Sequence, residues 1–382
     1  MVIDRELMAR DLSEHLAGRA GSGLLPRSEK SPLKTNVVEA HDAGSLDQAR
    51  ERLEAAVDED GTSLQPTTDP SLFLLTTELS TDQGPEQAGF WIDTANPRFW
   101  LLHSKTKAAP TRQALRRLVA HNPRLDVAWL PRDQMRRVQH SSNPFGFRLG
   151  FDERLFYERR DVTQLEEATH KLSVEHAGVG AEAMYGLLEN SDVTRRALAV
   201  AEVAFWESTE RGGQILRLTR DGRLQSQGPS LDSHLGAAHR LLGGYGRFIR
   251  GLERAFGLRL SEADNGDVTI EGRPLGLEAA KPEGFDFEQL VGRLVSGVEP
   301  FRLLGSVDWQ DEDLAWVEAV DLHTGSSVRM DLTPDWIRMY LGEGHCGNTL
   351  ARFVTNLQRS YNADLRFLEP AAQELLGAGE AA

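Results

Sequence analysis

Two hydrophobic periods alternate along this chain, and the alternation confines it to a mixed architecture. Runs of β-branched and aromatic residues with period-two character read as strands at 72–79, 90–93, 98–104, 125–130 and 171–176. Amphipathic stretches read as helices entered at Pro110, Pro131 and Gly180, and spanning 232–256 and 348–361. In the last of these Leu350, Phe353, Val354, Leu357 and Tyr361 share one face. Ser45 and Gln48 make a capping-box pattern ahead of Leu46, Ala49, Leu53 and Ala56. Asp221-Gly222 and Asn265-Gly266 mark tight turns. Residues 301–304, 315–322 and 327–332 read as a meander, and Thr333 as the cap of a helix opened by Pro334. The stretch 195–207 fits strand or helix.

The expected class is therefore α+β, with two compact units of hairpins and meanders packed by amphipathic helices. Residues 1–66 read as an acidic N-terminal arm with one helix and linkers, the linkers at 17–35 and 58–70. Residues 67–166 read as a basic α/β domain, 167–370 as a larger α+β domain, and 371–382 as a flexible tail. The first turns are acidic and no long apolar run follows, so neither a secretory signal nor a membrane span is expected. With one cysteine, Cys346, no internal disulfide is possible, and a cytoplasmic location is expected.

Charge is segregated. The chain carries −15 overall, but residues 96–148 hold eleven bases and two acids, a block of +9. Residues 1–95 carry −10 and residues 149–382 carry −14. Within the basic block Arg112, Arg116 and Arg117 lie on one helix and Arg132, Arg136 and Arg137 on the next, interleaved with aromatic residues. On the 232–256 helix Arg240, Arg247, Arg250 and Arg254 fall within about 80° of one another, beside an apolar face. Guanidinium forks match phosphate oxygens, and such a stripe has the length to follow several phosphates. A solvated face salt-bridged to the acidic arm is the plainer alternative.

Signatures of enzyme chemistry are weak. His345 and Cys346 stand next to Asn348, a cap candidate, and a thiol at a helix start beside an imidazole can be activated. Asp93 followed by His103-Ser104-Lys105 lacks the second acid of a metal nuclease, and Glu278 with Lys281 has the wrong spacing for one strand face. Asp321 and His323 would share a strand face, most simply a wet one. No zinc spacing, phosphate loop or dinucleotide fingerprint is present, so no metal and no cofactor are expected. The sequence favours a non-enzymatic subunit of a larger bacterial-type assembly that contacts nucleic-acid backbone through the ten arginines named above, with other protein subunits as partners and no membrane. The alternative is a protein–protein adaptor whose arginine face docks an acidic partner. A hydrolase built on His345 and Cys346 comes third.

Overall fold

Leu33–Ala40 (β1) is buried along its whole length although it carries Lys34, Asn36 and Glu39. It is a central strand, flanked by antiparallel β5 (Phe99–Ser104) and β11 (Arg223–Gln227). The computed structural model describes residues 2–19, 21–57, 61–81, 84–152, 171–210, 212–262, 266–278 and 286–376. Among these residues the fold is α+β, with ten helices and nineteen strands. It divides into two compact units, 1–128 with 204–246, and 129–203 with 247–382.

In the first unit β2 (Thr62–Pro66), β3 (Leu72–Thr81) and β4 (Gly84–Asp93) continue the sheet beyond β5. On the other side β11 pairs with β10 (Gly212–Thr219), next to β9 (Ala199–Thr209). The expected hairpin at Asp221-Gly222 joins β10 to β11, with Gly222 at φ 70°, a conformation glycine adopts without a Cβ clash. Helices α2 (Leu46–Ala55) and α3 (Ala108–His121) put Leu53 and Leu118 into one core with Val38, Phe73, Phe90 and Trp100. A second core joins Leu7 and Leu12 of α1 (Arg5–Leu16) to Leu33, Leu74, Trp91 and Leu231. There Asp11 is wholly buried, accepting from Trp91 Nε1 at 3.1 Å and lying 2.7 Å from the Lys105 ammonium.

In the second unit a sheet runs β15-β16-β17-β18-β14-β19. Its strands are β14 (Leu275–Glu278), β15 (Leu303–Gln310), β16 (Ala315–Asp321), β17 (Ser327–Leu332), β18 (Trp336–Leu341) and β19 (Arg366–Phe367). The unit also holds α4 (Arg132–His140), β7 (Asn143–Asp152) antiparallel to β8 (Lys171–Ala177), α5 (Ala181–Glu189) and α6 (Asp192–Ala197). Helix α7 (Leu231–Phe256) and strand β9 pass from one unit to the other. Helix α9 (Gly347–Ser360) is buried almost all round, with Phe353 and Leu357 inside as their spacing requires.

Three local expectations change. Pro334 opens no helix: Thr333 closes a turn, its N–H donating to Trp336 O at 2.8 Å, and Ile337, Met339 and Leu341 then alternate inward along β18. The stretch 195–207 is both elements, the end of α6 and most of β9. The described residues of 1–66 hold two helices and two strands rather than one helix and linkers. Among the described residues no helix is long and apolar enough to cross a membrane. Of the expected tail 371–382, residues 371–376 are helical, within the helix Pro370–Leu376, while residues 377–382, Lys281, half of the Glu278 pattern, and Asn265 lie outside the described residues.

Candidate functional site

The basic block is largely matched by carboxylates of the same fold. Three of its cations meet acids from the first 66 residues: Arg98 with Glu39 at 2.6 Å, Lys105 with Asp11 at 2.7 Å, and Arg124 with Asp42 at 3.2 Å. Burial alone would raise the Asp11 carboxyl, but Lys105, Ser22 and Trp91 as donors outweigh it and hold it below the usual range. On α4 Arg132 binds Glu189 at 2.9 Å and Asp364 at 3.1 Å, and Arg136 binds Glu189 at 2.7 Å. Arg137 donates to the carbonyls of Leu375, at 3.2 Å, and Glu374. Arg148 faces Glu202 at 3.3 Å. Guanidiniums held in this way have little freedom to follow a phosphate backbone.

On α3 Arg112 and Arg116 stand exposed, while Arg117 donates to Glu78 O at 2.8 Å. Arg112 belongs to the first unit and Arg132 to the second. On α7 Arg240 pairs with Glu207, and Arg247, Arg250 and Arg254 are exposed along the helix. Tyr245, Phe248 and Leu252 are buried and Leu241 is partly buried, so an apolar face does lie beside the arginines of α7.

Cys346 and His345 do not form a reactive pair within this geometry. Cys346 is wholly buried and is itself the cap of α9, its Sγ accepting the Asn348 N–H at 3.3 Å. His345 is engaged by main chain, with Nδ1 2.8 Å from Gly342 O and Nε2 against Ser327 O. Because serine is a strong N-cap, Cys346→Ser should change stability by less than about 1 kcal/mol, measured by urea unfolding. A loss above about 3 kcal/mol would mean that thiol packing rather than capping dominates there.

Asp321 and His323 are both buried, not on a wet strand. The Asp321 carboxylate takes the Arg352 guanidinium, the Thr349 hydroxyl and the His323 N–H. Asp93 is likewise held, by Arg5 at 2.5 Å.

The feature that period and charge counting passed over is the free edge of the second sheet. Residues 295–297 bridge the start of β15, with Gly297 N–H on Leu303 O at 2.8 Å and Gly305 N–H on Val295 O at 3.1 Å. From Ser306 to Gln310 no described main chain pairs with its outer side, and every residue there is exposed. Trp309 and Trp316 lie together across β15 and β16, ring centroids 5.3 Å apart, and are 42% and 50% exposed. Leu304 and Val320 extend the apolar face. A register shift between Val307 and Trp309 bulges the strand at the exposed Asp308. Asp311, Glu312 and Asp313 follow in the turn. Two tryptophans alternating with a run of acids was the available signal, and it lies at the end of an otherwise ordinary meander.

Residues 26–376 match the model of the MJECL33-like protein family. A Methanocaldococcus jannaschii protein that carries the name uncharacterized protein MJECL33 is 26% identical over 324 residues, spanning 73% of this chain and 76% of its own length. The family match takes in both units and the whole of the β15 edge, and with nearly the full chain inside it, this protein belongs to the MJECL33-like family.

Proposed function

We propose that this protein is a non-catalytic adaptor that docks an extended, alternately apolar and basic segment of a partner protein on the free edge of β15. The observation that carries the reading is the conjunction at that edge: main chain over 306–310 whose outer side no described residue pairs, the exposed Trp309–Trp316 pair, and acids at 308 and 311–313. An added strand satisfies the open N–H and C=O groups, and alternate side chains reach the apolar face. Charge selects the occupant. A bulged, acidic edge opposes pairing with its own copy and favours a basic strand. We place the protein in the cytosol, which a single cysteine, the buried Cys346, supports.

The test is an array of eight-residue peptides alternating leucine with lysine, serine or glutamate, titrated against the full chain. The lysine series should bind and the glutamate series should not. Trp309→Ser with Trp316→Ser should weaken binding by at least about thirtyfold, the cost of losing a buried aromatic anchor, without lowering the unfolding midpoint. Equal binding of lysine and glutamate peptides, or of none, contradicts the reading. So does salt-sensitive binding of DNA or RNA that Arg112→Ala with Arg116→Ala abolishes, because that result restores nucleic-acid backbone as the partner.

A further inference from the structure

A cavity of about 470 Å³ opens in the first unit at the C-terminal end of α1, between the 27–32 segment and residues 226–228 at the end of β11. That is the size of a small-molecule site. Two cations line it. Arg27 donates through Nε to His15 Nδ1 at 3.2 Å, and no described residue accepts from its two Nη groups. Lys30 stands exposed on the rim with no described acceptor for its ammonium. Its backbone is left-handed, φ 61°, a strained conformation for lysine that tends to persist where a site requires it. Glu29 shares the rim but forms no ion pair with either cation.

The floor is built to keep that charge positive. His15 Nε2 lies 2.9 Å from Ser31 O, so it carries the proton and Nδ1 is left as the acceptor for Arg27. Burial pushes the His15 pKa down to about 4, and Arg27, Lys105 and Lys34 push it the same way. Arg27 and Lys30 outnumber Glu29 in the lining, so the cavity carries net positive charge inside a chain of net charge −15. The partial negative charge of the last α1 carbonyls is already taken by the N–H groups of Ala17, Gly18 and Arg19.

Ser226 also lines the cavity, and its hydroxyl bonds His234, whose Nε2 lies 2.6 Å from Thr35 Oγ1, itself 2.7 Å from His103 Nδ1. Burial lowers the His234 pKa to about 3. An imidazole that weak is a poor base for a serine hydroxyl near neutral pH, so the chain of groups holds the wall and does not activate it.

We propose that this cavity binds a small phosphate monoester without cleaving it, the phosphate held by the Arg27 fork and the Lys30 ammonium and the ester group seated against Leu16 and Pro32. A dianion matches two cations, and the guanidinium edge matches two phosphate oxygens. The site is independent of the β15 edge, so either proposal can fail alone.

The experiment is calorimetric titration of the full chain with glycerol 3-phosphate, inorganic phosphate and glycerol. Glycerol 3-phosphate should bind saturably at millimolar concentration or below, more tightly than inorganic phosphate, and glycerol not at all. Lys30→Gly relieves the left-handed strain while removing the charge. It should keep or raise the unfolding midpoint and still weaken binding at least about tenfold, the scale of one lost charged hydrogen bond. Arg27→Gln should weaken it similarly, and Arg116→Gln, away from the cavity, should not. Absence of saturable binding, or binding unchanged in both cavity variants, overturns the proposal. Inorganic phosphate binding as tightly as the ester overturns the monoester assignment.

Discussion

Replacing Arg352 with methionine should cost about 3–5 kcal/mol of stability, because it leaves a buried carboxylate without its cation. Arg352 and Asp321 are both wholly buried and bonded to each other, and Arg352 Nε also donates to Phe301 O at 2.9 Å. Burial by itself pushes the Asp321 carboxyl up, and Arg352, His323 and Thr349 together bring it below the ordinary range. Without Arg352 the raising influence of burial is no longer offset, and the folded-state pKa should move above the unfolded value. A carboxyl raised in that way stabilises the fold only while protonated, so the penalty should be larger at pH 7 than at pH 5. Arg352→Met combined with Asp321→Asn should recover part of the loss, since the pair contributes less than breaking it costs. Urea unfolding of the two variants at both pH values checks this. A penalty below about 1 kcal/mol at pH 7 would contradict a buried, mutually dependent pair.

Mild acid should destabilise the first unit well above the range where carboxylates titrate. His15, His103 and His234 are buried there, and desolvation lowers their pKa values to about 4, about 4 and about 3. A histidine whose pKa falls on folding binds its proton more readily in the unfolded chain. Its contribution is therefore whole above pH 6.5 and is lost as pH falls from about 6.5 toward the folded value. By pH 5 His103 and His234 together should cost about 4 kcal/mol, at roughly 1.4 kcal/mol per pKa unit, with His15 acting in the same direction. Asp11, Asp93 and Asp221, all held below the usual carboxylate range, add their loss only below about pH 4. His234→Gln keeps a donor and an acceptor and should flatten the slope by one proton. A midpoint that does not move between pH 7.5 and pH 5 would contradict burial of the neutral imidazoles.

Elements with one apolar face were legible in the sequence, and elements whose polar residues are satisfied from a distance were not. Helix α9 shows its core face through Leu350, Phe353 and Leu357, and the β10–β11 turn shows through Asp221-Gly222. Strand β1 lacked any alternation because both its faces are covered and Lys34, Thr35 and Glu39 are met by Thr106 O, His103 and Arg98. Those partners lie some sixty to seventy residues away, beyond any local pattern. Strand β18 did carry the alternation of Ile337, Met339 and Leu341, but Thr333-Pro334 imitated a helix start. The charge map behaved the same way. The sign of the 96–148 block was readable, but not that Arg132 and Arg136 meet Glu189, or that Arg98 and Lys105 meet acids of the first 66 residues. The β15 edge escaped because exposure on both faces leaves no period to find.

The docking reading is tested most directly by amide hydrogen exchange along Leu303–Gln310, with and without the alternating leucine–lysine peptide. Open-edge amides between Ser306 and Gln310 should exchange at least about tenfold more slowly in saturating peptide, as newly paired strand amides do. The protection should vanish in the Trp309→Ser, Trp316→Ser variant. Unchanged exchange along β15, with protection appearing instead around Arg112 and Arg116 of α3, would contradict it.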